Sequence, residues 1–398
     1  MKQLKVKSLL EQWHIHPLAL DNINLNKILY NGQSFRWKWH YYDINTMSCN
    51  LNILLKQDTD LTSNLIKIHY NSIRLLSTDT SHILKLFQNG QRLYFYSPDT
   101  AFVKEIEEFL TNMLQLHVDR LKLYQNISDL DKHLEKLLKP HLVSKNFENL
   151  ECTIMKLPPW ETLLSFICSS NNNIKRISSM CDKLCEIGGQ KLDDIEIPTY
   201  GENNEFIDFQ RAPIYAFPSC KDLLATCNEN ILKEAKFGYR AKYIMQTLQL
   251  FDDMRKSSGF EDLSDSQFIC SNISPLVNEM TYKQAKEWLV QFSGCGPKVA
   301  DCVLLYSDVT LINEKEIKQE KIEEVTVETI DVVRNWNGII PIDAHITRIA
   351  IRDFPHIIKK NQKNLELMRE SLMKKFGNFG GWIQVLLFTK EIDKSIKN

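Results

Sequence analysis

Residues 282–306 read YKQAKEWLVQFSGCGPKVADCVLLY, and this stretch decides the fold. Its first half places Ala285, Trp288, Leu289 and Phe292 at i, i+3, i+4, i+7, the spacing of one apolar helix face. The second half repeats that spacing with Val299, Cys302, Val303 and Tyr306. Between them lie Ser293-Gly294-Cys295-Gly296 and then Pro297. The two glycines permit a tight turn with positive φ. Pro297 suits the first position of a new helix, where no intrahelical donor is lost. The pattern predicts two helices joined by a hairpin, the second opening on free N–H groups. Those groups and the positive end of the helix dipole suit a phosphate. An ordinary αα-hairpin with a glycine turn has the same pattern, so the hairpin alone leaves both readings open. Lys298, directly after the turn, favours the phosphate.

Upstream, the first hundred residues read as β-rich. Phe35 to Tyr42 is dense in aromatics with interleaved bases, and Ile66, Ile68 and Tyr70 alternate with polar residues as on a half-buried strand. Asn89-Gly90-Gln91 reads as a turn feeding a strand at Leu93 to Tyr96. From about Asp99 the period turns helical, with Phe102, Ile106, Phe109, Leu110 and Met113 on one face. Most of the remainder reads as helix, with loops expected around 186–220 and 255–265. A chain of 398 residues is too long for one ordinary domain. The expected division is a β-rich domain over 1–150 and a helical region over 151–398.

Charge is nearly balanced, with 49 Lys+Arg against 50 Asp+Glu. No global cationic field draws this chain onto nucleic acid or an anionic membrane. The balance is uneven along the chain. Residues 309–340 hold seven acids and four bases and read as a solvated acidic insertion, whereas 344–398 hold eleven bases and five acids. No apolar run reaches the roughly 18 to 20 residues of a transmembrane helix, so no membrane partner is expected. A secretory signal is not expected either, because only short apolar stretches follow Lys2, Lys5 and Lys7. The ten cysteines form no C-x-x-C pair and the last is Cys302, which argues against a zinc ribbon and an iron–sulfur loop. They are expected to be reduced and buried.

With GCGPKVADC (294–302) followed by PIDAH (341–345), the chain resembles the helix–hairpin–helix DNA glycosylases. Within them it is most similar to the eukaryotic 8-oxoguanine DNA glycosylase/lyases. NGQSFRW (31–37), SFICSSNNNIKR (165–176), FGYRAKY (237–243) and GGWIQVLLF (380–388) carry the resemblance across residues 31 to 388. It implies an α+β fold, with an N-terminal antiparallel twisted β-sheet domain followed by two helical domains that flank a cleft. It also implies excision of 8-oxoguanine, and of formamidopyrimidine-guanine, opposite cytosine in duplex DNA, followed by β-elimination at the abasic site.

The chemistry suits the residue types. The amine of Lys298 can attack the sugar C1′, displace the base and leave a Schiff base. It must be deprotonated to do so, which burial at a helix N-terminus favours. Asp343 precedes Ile346, Ile349 and Ala350 at helical spacing and reads as an N-cap. The resemblance adds that its carboxylate stabilises positive charge on the deoxyribose. It further implies a lesion pocket in which the Gly32 carbonyl reads N7–H, a donor that normal guanine lacks. Cys302 and Phe388 would sandwich the base and Gln384 would bond its Watson–Crick edge; on spacing alone Cys302 and Phe388 read as core. By the same resemblance Asn171 fills the hole left by the flipped base, Tyr239 wedges beside it, and Arg176 and Arg240 bond the orphan cytosine. Gly294, Gly296 and His345 are candidates for phosphate contacts.

The expected partner is double-stranded DNA containing 8-oxoguanine opposite cytosine, bound by a monomer with no metal, iron–sulfur cluster or other cofactor. The expected location is the nucleus, and a mitochondrial destination stays open. The alternatives are an endonuclease III-like glycosylase, which the missing C-terminal cysteine cluster disfavours, and a non-catalytic DNA-binding module, which Lys298 together with Asp343 disfavours. The hairpin departs from relatives at Ser293 and Cys295, and Tyr215-Ala216 stand where some relatives carry His-Gly.

Overall fold

The computed structural model describes residues 11–20, 22–44, 50–56, 65–145, 147, 150–201, 206–276, 280–309, 336–359 and 363–397. The acidic part of the insertion, 310–335, lies outside the described residues.

Strand β1 (His14–Ile15) is followed by α1 (Leu25–Ile28), β2 (Lys38–Asp43), α2 (Leu51–Lys56), β3 (Leu65–Leu75), β4 (Thr80–Asn89) and β5 (Arg92–Tyr96). The five strands form one antiparallel sheet in the order β1-β5-β4-β3-β2. Period-2 alternation lets it bury both faces. Leu84, Leu86, Leu93 and Phe95 point to one side, under Ile106, Leu110 and Met113 of α3 (Val103–Leu114). Ile66, Ile68, Phe87 and Tyr94 point to the other, against Trp13 and the α2 leucines Leu51 and Leu55.

Helices α4 (Arg120–Leu130) and α5 (Lys132–Ser144) lie before residue 150, yet Leu123, Tyr124, Ile127, Leu134 and Leu138 belong to the large helical core. That core continues through α6 (Pro159–Ser169), α7 (Ile174–Gly188), α8 (Cys220–Thr226), α9 (Glu229–Glu234), α10 (Arg240–Ser257), α11 (Asp265–Ile273), α12 (Tyr282–Leu289) and α13 (Pro297–Tyr306). It closes with α14 (Ala344–Asp353), α15 (Leu365–Phe376) and α16 (Gly380–Lys397). Helix α6 runs through its middle, with Pro159 to Cys168 buried except Glu161. It contacts α7, α10, α11 and α13. A sheet packed on one side and helices gathered on the other make an α+β fold.

One expectation fails. Residues 186–220, read as loop, contain a two-stranded ribbon, β6 (Lys191–Tyr200) paired with β7 (Phe206–Tyr215). Pro198 and Pro213 disguise it, because proline normally demotes a strand. A two-stranded ribbon consists of two edges, so it tolerates them. Its Ile195 and Ile214 cover Tyr70 and Ile83 of the sheet. The Tyr42 hydroxyl donates to Glu196 O at 2.9 Å, and the Tyr200 hydroxyl donates to Tyr41 O at 3.1 Å. The ribbon thus covers one face of the sheet and bonds to its β2 edge.

Candidate active site

The hairpin forms as its sequence predicts, with one change. Gly294 takes φ +83, and a Cβ there would lie 3.1 Å from both Ile167 and Tyr243, so the turn sits tightly on α6 and α10. Gly296 has φ −72 and is the N-cap of α13. Only the first glycine uses the left-handed region; at the second, nothing lies within 4 Å of a Cβ, which leaves the helix N-terminus open.

Lys298 stands in the first turn of α13, half-buried rather than fully buried, with Nζ 5.3 Å from the Phe166 ring centroid. One turn on, Cys302 is buried. Burial pushes its thiol up to about 11 against the pull of Lys298, while the carboxylates of Asp301 and Asp343 push it further up. Asp343 caps α14, accepting from the amides of His345 at 2.9 Å and Ile346 at 2.8 Å. So the N-terminal ends of α13 and α14 both bear on one thiol, although residues 310–335 intervene in the chain.

Aromatic rings lie close to Lys298 and His345. Phe166 stacks on Tyr306 with ring centroids 5.5 Å apart, and the Tyr306 hydroxyl donates to Gln384 Oε1 at 3.2 Å. That bond fixes the amide carbonyl of Gln384 and leaves its amino group to donate elsewhere. Phe388 lies 5.9 Å from the His345 ring in a T-shaped pair. Gly32 has φ +89, and a Cβ there would meet Ile174 Cδ1 at 3.2 Å. Ile174 opens α7 just after the three asparagines, so the Gly32 loop and the Asn171 loop adjoin. The Gly32 loop is anchored from behind: Gln33 Nε2 donates to Thr153 O at 2.9 Å, and Arg36 pairs with Glu161 of α6 at 2.8 Å.

Asn171 is exposed with φ +49. Tyr239 beside it is 51% exposed and donates to Ser170 O at 3.1 Å. Arg176 is exposed, with a single long contact of 3.5 Å to Lys236 O. Arg240 differs from the expectation. It is 2% exposed, lies under Tyr239 at 4.5 Å, and donates to the carbonyls of Ser170 and Asn171. In the free protein it supports the Asn171 loop from below rather than facing outward.

Three relatives set this arrangement in context. Residues 16–163 match the family model described as 8-oxoguanine DNA glycosylase, N-terminal domain. The N-glycosylase/DNA lyase of Saccharomyces cerevisiae is 30% identical over 389 residues, covering 92% of this chain and 83% of the yeast protein. The chain belongs to the 8-oxoguanine DNA glycosylase/lyase family. The N-glycosylase/DNA lyase of Arabidopsis thaliana is 27% identical, covering 73% of this chain and 63% of the plant protein. The fold matches a crystal structure of the Clostridium acetobutylicum 8-oxoguanine glycosylase/lyase with double-stranded DNA containing cytosine opposite 8-oxoguanine. The TM-score is 0.60 at 20% identity, over 96% of this chain and 98% of that one.

Two groups behind the site of this glycosylase/lyase escaped sequence reading. Asp301 on α13 is fully buried and pairs with Arg369 of α15 at 2.6 Å and with Lys286 of α12 at 3.4 Å. It also accepts from the Tyr282 hydroxyl at 2.7 Å. Burial raises its carboxyl despite these partners. At the other end of α13, Lys156 Nζ donates to Leu305 O at 2.6 Å, and burial pushes the amine down to about 7 against the pull of Asp308. Neither pairing leaves a local signal, since the partners stand 68 and 149 positions apart. The nine described cysteines are free and buried, as expected.

Proposed function

We propose that this protein flips 8-oxoguanine, or formamidopyrimidine-guanine, out of a duplex opposite cytosine, excises it, and cleaves the strand at the abasic site. One observation supports the assignment of residues: the Lys298 amine lies 5.3 Å from the Phe166 ring centroid, Phe166 stacks on Tyr306, and Tyr306 bonds Gln384, so the candidate nucleophile and the candidate base-reading amide share one aromatic path. The neutral Lys298 amine attacks C1′, and the C1′–N9 bond breaks with its electron pair leaving on the base. The Asp343 carboxylate stabilises the positive charge that develops on the sugar. The amine loses a proton, the ring opens, and a protonated imine forms. That cation acidifies C2′–H; loss of this proton expels the 3′ phosphate with the C3′–O electron pair. Water then hydrolyses the imine and frees Lys298.

Recognition uses the remaining candidates. The Gly32 carbonyl accepts from N7–H of the lesion and repels the N7 lone pair of guanine. Cys302 and Phe388 sandwich the base, and Gln384 bonds its Watson–Crick edge. Asn171 fills the vacated space, and Tyr239 wedges beside it. Arg176 and Arg240 bond the orphan cytosine, Arg240 leaving its carbonyl partners on the Asn171 loop to do so. The Gly294–Gly296 hairpin and His345 take phosphates. We assign a monomer acting in the nucleus without a cofactor. Borohydride treatment with an 8-oxoguanine:cytosine duplex tests the central step. A covalent protein–DNA adduct is expected, and Lys298→Gln abolishes it; an unchanged adduct in that variant overturns the lyase assignment.

A further inference from the structure

Helix α14 starts at Asp343, and its first exposed face carries His345 and, three residues on, Arg348. Arg348 Nη2 lies 2.8 Å from His345 Nδ1. A guanidinium can only donate, so Nδ1 must be the accepting nitrogen. A neutral imidazole has one donor and one acceptor, which puts the ring proton on Nε2. The same ring stands edge-on to Phe388 at 5.9 Å and 87°. One hydrogen bond therefore sets both the tautomer of His345 and the angle at which it meets a wall of the lesion pocket.

We propose that Arg348 is a positioning residue: it holds His345 as the Nε2–H tautomer, so that His345 braces Phe388 and offers a neutral donor to a backbone phosphate of the flipped nucleotide. The inference rests on the phosphate contact proposed for His345 above. The site suits an anion for two further reasons. His345 lies in the first turn of α14, at the positive end of the helix dipole. The Arg348 guanidinium adds a cation on the same face, which raises the positive potential around His345.

Nitrogen-15 spectra of histidine-labelled protein, with His345→Gln to assign the signal, read the tautomer directly. The wild type is expected to show a pure Nε2–H ring, and Arg348→Met a mixture of tautomers. Arg348→Lys, which also donates only, is expected to restore part of the bias. Single-turnover excision and duplex affinity are measured alongside. Arg348→Met should weaken binding of the lesion duplex about tenfold, the scale of one hydrogen bond to a charged group, with the melting temperature unchanged. A double-mutant cycle separates the possible failures. If His345→Ala leaves affinity and excision unchanged, the phosphate reading of His345 falls, and this inference with it. If His345→Ala weakens binding but Arg348→Met adds its full effect on top, Arg348 grips phosphate independently; positioning is refuted and the His345 reading stands. An unchanged tautomer in Arg348→Met also refutes positioning.

Discussion

Replacing Lys156 with methionine should make the protein more stable in a pH-dependent way. The unfolded side chain titrates near about 10.4, whereas the folded one, buried against the end of α13, titrates at about 7. Between those values the unfolded chain holds one more proton, so stability rises with pH across that window. Below it, the full cost of burying the ammonium is present, about 5 kcal/mol. By pH 9 that cost has fallen to roughly 2 kcal/mol. Methionine fills much the same volume without the charge, but it loses the bond to Leu305 O, worth about 1 kcal/mol at every pH. The advantage of Lys156→Met should therefore shrink by roughly 2.5 kcal/mol between pH 6 and pH 9. With an unfolding entropy on the order of 0.8 kcal/mol/K for a chain of this length, that is about 3 °C. Thermal melts of both proteins in matched buffers check it. Buried tyrosines and cysteines titrate in both proteins and cancel in the difference. A melting-temperature difference that stays constant from pH 6 to pH 9 would refute the reasoning.

Asp343→Asn keeps the N-cap, since asparagine caps as well as aspartate, so its melting temperature should hold. Its single-turnover excision rate should fall by about 10²–10³, the scale of one lost transition-state electrostatic contact; a loss below fivefold removes Asp343 from the chemistry. Gly294→Ala forces alanine into φ +83 against Ile167 and Tyr243, so it should destabilise by more than about 1 kcal/mol and weaken undamaged-duplex binding. Unchanged duplex affinity in that variant would disconnect the hairpin from DNA. Because the chain is nearly neutral, the log–log salt slope of binding should correspond to fewer than about six phosphate contacts, as read by anisotropy titrations at several salt concentrations.

What could be read from sequence was local. The hairpin showed because glycine, proline and a 3.6-residue apolar period all fall within 25 residues. Asp343 showed as a cap because capping needs only the next three residues. The β6–β7 ribbon did not, because it carries two prolines and buries little more than Ile195 and Ile214. The resemblance gives Arg240 an orphan-cytosine contact but says nothing of its burial in the free protein. Its actual partners, Ser170 and Asn171, come from another helix end. The ion cluster of Asp301, Arg369 and Lys286 was hidden for the same reason. It depends on three helices meeting, and each residue alone looks like a surface charge.

Ile174 leaves little room for a side chain at Gly32, since a Cβ there would lie 3.2 Å from Ile174 Cδ1. Under the proposed function, the segment that would examine the extruded base and the segment that would occupy its vacated place lie side by side here. On that proposal, a duplex that yields poorly to the asparagine loop would also be presented poorly to the Gly32 carbonyl. Discrimination against sound DNA would then begin in the mechanics of opening the helix, before any base edge is read, and the size of residue 174 would set that coupling.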